Sequence, residues 1–235
     1  MRWFRRRPVA TTERRRFADL QAMPLEARRA ALAGKDGAGW IEAAASCGLA
    51  EAQVLLGQLR LDNGNASLAL RWFEVAAGTG YPPAINMVGR CFEKGWGIGP
   101  DPAEAARHYR RTAELGFDWG QFNLANLLLY GLGVPRDRPQ AFGWYDRAAR
   151  QGHAKSMNML ARFHEEGWDR PKDPVQAVAW YQRAAEAGDF RGQFNLATLL
   201  AQHGRRAEAL SWLNKALARG SPDFLAQAAA LRVGP

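Results

Sequence analysis

Residues 95–101 read GWGIGPD: three glycines at alternate positions, then an acid, then an Ala/Glu-rich helical pattern. Glycines spaced this closely ahead of a helix suit two different jobs. They let a backbone wrap a phosphate at a helix N-terminus, or they let one helix stop and the next begin. The first job requires a strand before the loop and a sheet around it. The second requires only helices.

The stretch recurs. Thirty-six residues on stands GLGVPRD, 131–137, and 36 further on GWDRPKD, 167–173. No strand pattern precedes any copy, no Gly-Lys-Ser/Thr follows, and Gly-x-Gly-x-x-Gly is not satisfied, so the copies read as joints between helices rather than as a nucleotide site. Gly95, Gly131 and Gly167 are expected to end a helix in the left-handed conformation. The next helix opens with Asp101-Pro-Ala-Glu104, Asp137-Arg-Pro-Gln140 and Asp173-Pro-Val-Gln176. In each, the Asp side chain accepts from unpaired N–H groups of the first turn, and the Glu or Gln is placed to reach back. Pro102 and Pro174 sit at the first helical position, where no N–H is missed.

Outward from the joints the period holds. Glycines fall at 48, 80, 116, 152, 188 and 220, in steps of 32, 36, 36, 36 and 32. Eight residues before each stands a large ring: Trp40, Trp72, His108, Trp144, Trp180 and Trp212. Small side chains such as Ala148/Ala149 and Ala184/Ala185 follow it. Each unit therefore holds two helices, A and B, and the period of the Trp-Tyr pairs predicts that these rings seal one repeat onto the next.

The segments GQFNLA (120–125), GLGVPRD (131–137) and AFGWYDRAARQG (141–152) together resemble the pattern of Sel-1-like repeats, a branch of the tetratricopeptide-type helical repeats. The resemblance covers about residues 49–220. It implies an all-α, right-handed α-α superhelix, or solenoid, with five repeats at 49–80, 81–116, 117–152, 153–188 and 189–220. The units ending at Gly80 and Gly220 lack the four-residue joint insertion and look like plainer tetratricopeptide units. Residues 17–48 are expected to form N-terminal capping helices and 221–235 a C-terminal capping helix.

Composition narrows the function. At 235 residues and 47% hydrophobic content the chain can bury a core, and it has no apolar run of about 18 residues with which to cross a membrane. The net charge of +9 is concentrated at one end: residues 1–16 carry seven arginines and one glutamate, and everything after them carries only +3. That segment reads as a disordered basic arm. Its alternative role is to tether the protein to nucleic acid or an anionic membrane. Cys47 and Cys91 form no Cys-x-x-Cys pattern, and His108, His153, His164 and His203 show no metal-ligand spacing. No catalytic constellation is legible. A non-catalytic protein without metal or cofactor is expected, monomeric and in the cytoplasm of a bacterium.

The resemblance also implies a concave groove lined by A helices. Carried through the alignment, tetratricopeptide groove positions fall on Asn86, Arg90 and Lys94; on Trp119, Phe122, Asn126 and Tyr130; on Lys155, Asn158 and Arg162; and on Arg191 and Phe194. Asn123 and Arg162 match two of the five carboxylate-gripping positions of chaperone-binding tetratricopeptide domains. The implied partner is a protein or peptide whose backbone is held by Asn86, Asn126 and Asn158 and whose side chain is received by Trp119, Phe122 and Tyr130. An accessory or immunity-type inhibitory subunit of an enzyme would use the same surface. Trp96 and Trp168, first in their joints, are candidate loop contacts, either packing on a neighbouring joint or meeting a partner.

Overall fold

The computed structural model describes residues 9–222, 224 and 225. Among them are thirteen helices and no strand. The chain divides into two compact units, residues 1–115 and 116–235. In the first, α1 (Thr11–Ala22), α2 (Leu25–Ala33) and α3 (Gly37–Ser46) precede two helix pairs, α4 (Ala50–Asp62) with α5 (Ala66–Ala77) and α6 (Pro82–Lys94) with α7 (Pro102–Glu114). The second holds three pairs: α8 (Asp118–Tyr130) with α9 (Arg138–Arg150), α10 (Ala154–Glu166) with α11 (Pro174–Glu186), and α12 (Phe190–Gln202) with α13 (Arg206–Arg219).

The joints work as the sequence predicts. Gly95, Gly131 and Gly167 have φ of 73°, 72° and 70°, and their N–H groups donate to Cys91, Leu127 and Phe163. A β-carbon would be strained at each. The Asp that follows donates its own N–H back to helix A, Asp101 to Phe92, Asp137 to Leu128 and Asp173 to His164. Its carboxylate caps helix B, accepting from Glu104, Gln140 and Gln176 N–H. Glu104 does not complete the reciprocal contact; its carboxylate pairs with Arg107 and His108.

Of the two rings in each Trp-Tyr pair, the tryptophan is the less buried. Trp144, Trp180 and Trp212 are only half-buried and lie under the cation three residues on: Arg147 at 4.5 Å, Arg183 at 4.3 Å and Lys215 at 3.9 Å. The ring that disappears is one residue later: Phe73, Tyr109 and Tyr145 expose no surface, and Tyr181 exposes 1%. A B-helix ring of this size fits only where helix A offers a small residue. A β-carbon on Gly57 would meet the Phe73 ring at 2.5 Å, and one on Gly89 the Tyr109 ring at 2.8 Å. The aligned positions hold Ala125, Ala161 and Ala197, all buried.

Buried glutamines tie successive repeats together. Gln53 donates to the carbonyl of Ala45, between α3 and α4, and Gln193 donates to that of Ala185, between α11 and α12. The disordered arm expected over 1–16 is too long by the helical residues 11–16, because α1 begins at Thr11; the arginines at 2 and 5–7 lie outside the described residues. Most of the expected C-terminal capping helix also lies outside them. Its Phe224 packs edge-on against Phe190 at 4.9 Å and Phe194 at 5.4 Å.

Tyr145→Ala should therefore cost about 3–5 kcal/mol, as loss of a fully buried ring does. Trp144→Ala, which removes a half-buried ring under an arginine, should cost about 1–2 kcal/mol. Urea unfolding of the two variants checks the assignment, and the reverse order would refute it.

Candidate interaction surface of the A helices

Positions three, four, seven and eleven apart return to the same side of a helix, so α8 presents Trp119, Phe122, Asn123, Asn126 and Tyr130 on one face. Leu124, Leu127 and Leu128 are buried elsewhere on the same helix. At its start, Trp119 is 41% exposed. Its ring meets Phe122 at 6.2 Å and His153 at 4.7 Å, both edge-on, and the Lys155 ammonium lies over it at 4.9 Å. At its end, Tyr130 is 57% exposed. Phe122, between them, leans on Tyr145 and His153 at 5.9 and 4.9 Å.

The asparagines are placed differently from the expectation. The hydroxyl of Tyr145 donates to Asn126 Oδ1 at 2.6 Å. Asn158 is buried and accepts from Asn195 Nδ2 at 2.9 Å, tying α10 to α12. Both side-chain carbonyls serve the fold. Asn86 is likewise buried, and it lies with Arg90 and Lys94 on α6 of the first unit, whereas the other groove residues belong to the second. Arg90 lies over Trp96 at 5.0 Å and reaches Met87 Sδ at 3.6 Å. Arg191 is exposed, over Phe190 at 5.7 Å.

Both candidate loop tryptophans pack at their own joints. Trp96 is half-buried against the cluster of Leu70, Phe73, Met87 and Val88. Trp168 meets Phe163 edge-on at 5.1 Å, with the guanidinium groups of Arg162 and Arg138 over its ring at 4.9 and 5.6 Å.

Sequence reading missed His153. It caps α10, its Nδ1 accepting the Ser156 N–H at 3.3 Å and standing 2.9 Å from Ser156 Oγ. A nitrogen that accepts a backbone N–H carries no proton, so the proton of the neutral ring is on Nε2, which is buried without a hydrogen-bond partner. Burial pushes this imidazole down to about 4; the Asp118 carboxylate opposes the shift and the Lys155 ammonium adds to it. Among the described residues no group of three or more His, Cys, Asp or Glu is placed to hold a metal. Nor is any helix among them long and apolar enough to cross a membrane. Both cysteines are free, and burial pushes the Cys91 thiol up to about 12.

Helix pairs of one design, each turned at a glycine joint and the first four with a buried ring on helix B, define a helical-repeat protein. The chain belongs to the Sel1 repeat family, whose model matches residues 50–78, 82–117, 120–153, 154–189 and 191–221. The plainer first and last units are thus Sel1 repeats too. A Sel1 repeat protein of Oxalobacter formigenes is similar in structure, with TM-score 0.69 and 25% identity over 81% of this chain and 58% of that one. A protective antigen of uropathogenic Escherichia coli with the same fold has TM-score 0.63 and 28% identity over 85% of this chain and 45% of that one. The chain thus spans about half the length of these two structures. An immunity protein of Pseudomonas aeruginosa, 14% identical with TM-score 0.60 over 91% of this chain and 84% of its own, shares the fold alone. A comparison with curated proteins finds no match.

The His153 cap makes stability pH-dependent. Its pKa is lower in the folded state than the ordinary 6.5, so the unfolded chain takes up the proton first as pH falls. The stabilisation is complete above about pH 6.5, is lost between there and about pH 4, and levels off below; its size is on the order of 3 kcal/mol. His153→Asn keeps a capping side chain that does not titrate. Its unfolding free energy should vary less with pH across that window than the wild type's, and equal slopes would show that His153 does not titrate as described.

Proposed function

We propose that the chain is a non-catalytic protein-interaction scaffold that takes an extended peptide segment of a partner protein along the A-helix face of its second unit. Sel1 repeats in general serve as protein-interaction scaffolds. The observation that carries the finer reading is the pair of exposed rings, Trp119 and Tyr130, on one face of α8. Eleven residues of helix place them roughly 16 Å apart along the axis. An extended peptide covers that span in about five residues, so its two apolar side chains stand about five positions apart. Exposed aromatic rings are the usual anchors of such contacts, and Lys155 sets a cation over Trp119. The reading takes the chain as a cytoplasmic monomer, in keeping with its two free cysteines.

Selection from a displayed random-peptide library on the immobilised full chain tests this reading. Enriched sequences should carry two apolar residues at about that spacing. Trp119→Ala and Tyr130→Ala should each weaken the selected peptides by about 2 kcal/mol, roughly thirtyfold, with helical content unchanged. Arg147→Glu, on the B helix beside Trp144, should leave them bound. Retention of full affinity in both ring variants, or its loss in Arg147→Glu alone, would place the partner elsewhere.

A further inference from the structure

The joint between α10 and α11 departs from its two siblings in the residues that face it. Position 169 is Asp where the aligned positions are Gly97 and Gly133, and it keeps the glycine conformation, with φ of 53°, the one non-glycine positive φ among the described residues. Asp tolerates that region better than most side chains, at some cost. Position 170 is Arg where the siblings have Ile98 and Val134. Arg138, at the start of α9, stands where α7 and α11 have Pro102 and Pro174. Two aliphatic-or-proline positions have thus become arginines that meet at one joint.

Their surroundings are aromatic. The Arg170 guanidinium lies 3.3 Å from the centre of the Phe142 ring and 5.9 Å from that of Phe163. Arg138 and Arg162 share the Trp168 ring, which packs on Phe163. These rings keep the planar groups in place and remove water from one side of them. Burial accordingly lowers the Arg170 pKa. Anionic partners are scarce: the one ion pair described for the three arginines joins Arg138 to Asp169 at 3.7 Å. Neighbouring carboxylates are engaged, Glu165 with the Tyr181 hydroxyl and Asp173 with the α11 cap. The Nε atoms of Arg138 and Arg170 are buried without a hydrogen-bond partner. Asp169 is thus the one carboxylate shared between Arg138, its ion-pair partner, and Arg170, on which its charge also acts. Neither guanidinium has the bidentate carboxylate that its fork geometry matches, and partly desolvated cations that outnumber their counter-charge are costly.

We propose that this joint is a carboxylate-binding point, where Arg138, Arg162 and Arg170, held by Trp168 and Phe142, take the acidic side chains of the partner peptide. The proposal rests on the reading of the second unit as a peptide-binding surface and adds the chemistry of the peptide. Trp168 packs on Phe163, Phe163 meets Tyr145 at 6.1 Å, and the Tyr145 hydroxyl donates to Asn126 of α8, on the face that carries Tyr130 and Trp119. An acidic stretch at the joint therefore continues into the apolar stretch over Tyr130 and Trp119. Asp169 acts as the internal carboxylate that occupies Arg138 until the peptide arrives.

The chain's nine tryptophans make an indole 15N–1H spectrum the direct readout, with Trp168 and Trp119 assigned through their Phe variants. The probe is a C-terminally amidated hexaglutamate peptide, with hexaglutamine as control. Hexaglutamate should shift the Trp168 signal saturably and hexaglutamine should not. Arg170→Val, which installs the residue of the sibling joint, should weaken the response at least about tenfold, whereas Asp169→Gly, also a sibling residue, should strengthen it. Binding by the arginine arm alone would move Trp3 and leave Trp168 still, which overturns the proposal. Unchanged affinity in Arg170→Val overturns it too, as does a Trp168 signal that follows inorganic phosphate but not the peptide. Because Trp119 reports on the α8 rings separately, failure of the library-selected peptides to move it counts against the peptide groove and leaves the joint to be judged on Trp168.

Discussion

One fit governs the first four repeats: a large ring on helix B, Phe73, Tyr109, Tyr145 or Tyr181, is buried opposite a small residue on helix A, and the fifth repeat has Leu213 in place of the ring. Phe73 sits over Gly57 and Tyr109 over Gly89, with no room for a β-carbon in either case. Wherever the ring is a tyrosine, its hydroxyl is carried into the interior and must find an acceptor. Tyr109 and Tyr181 donate to Glu93 and Glu165, each at 2.6 Å. In the middle repeat the aligned position is Leu129, and Tyr145 turns to Asn126 instead. Burial of the three phenols, reinforced by these carboxylates in the first and third, holds their pKa values above the ordinary 10.

That substitution reshapes the face of α8. With no glutamate at position 129, the middle repeat has an asparagine where its neighbours have Arg90 and Arg162, and it spends that asparagine on its own tyrosine. The residues left outward are the rings, Trp119 and Tyr130. In the neighbouring repeats the arginine lies instead over its own joint tryptophan, Trp96 or Trp168. The same structural need, met in two ways, thus produces an aromatic surface on α8 and stacked cations on α6 and α10.

Much of this was legible in the sequence because it is local. Gly95, Gly131 and Gly167 end helices wherever they occur, and Asp101, Asp137 and Asp173 cap whatever follows them; neither depends on distant contacts. Reading both rings of each Trp-Tyr pair as sealing has a specific cause. Trp144 and Tyr145 share one period, and periodicity cannot rank neighbours. The stripe does so: Ala141, Tyr145, Ala148 and Ala149 fall on one helical face and are all buried, while Arg147 follows Trp144 by three residues on the other. Asn126 and Asn158 differ from the groove reading because alignment to a groove position says nothing about a hydroxyl arriving from helix B nineteen residues later, or about an asparagine on the next A helix.

The joint at Trp168 lay beyond sequence reading for a different reason. Its arginines come from the start of α9, the end of α10 and the loop between α10 and α11, and only the return of the chain brings Arg138 beside Asp169. One signal was present even so. Stacking depends on the ring seats, the buried glutamines and the caps, and Trp96 and Trp168 of the joints pack on rings of the repeats, but the third position after the joint glycine is none of these and is free to vary while the repeats stay in register. Ile98, Val134 and Arg170 share one structural position and differ in chemistry. In a periodic protein the positions fixed by packing repeat from unit to unit, and a charged residue that breaks an aliphatic position outside them is where individual function is to be sought.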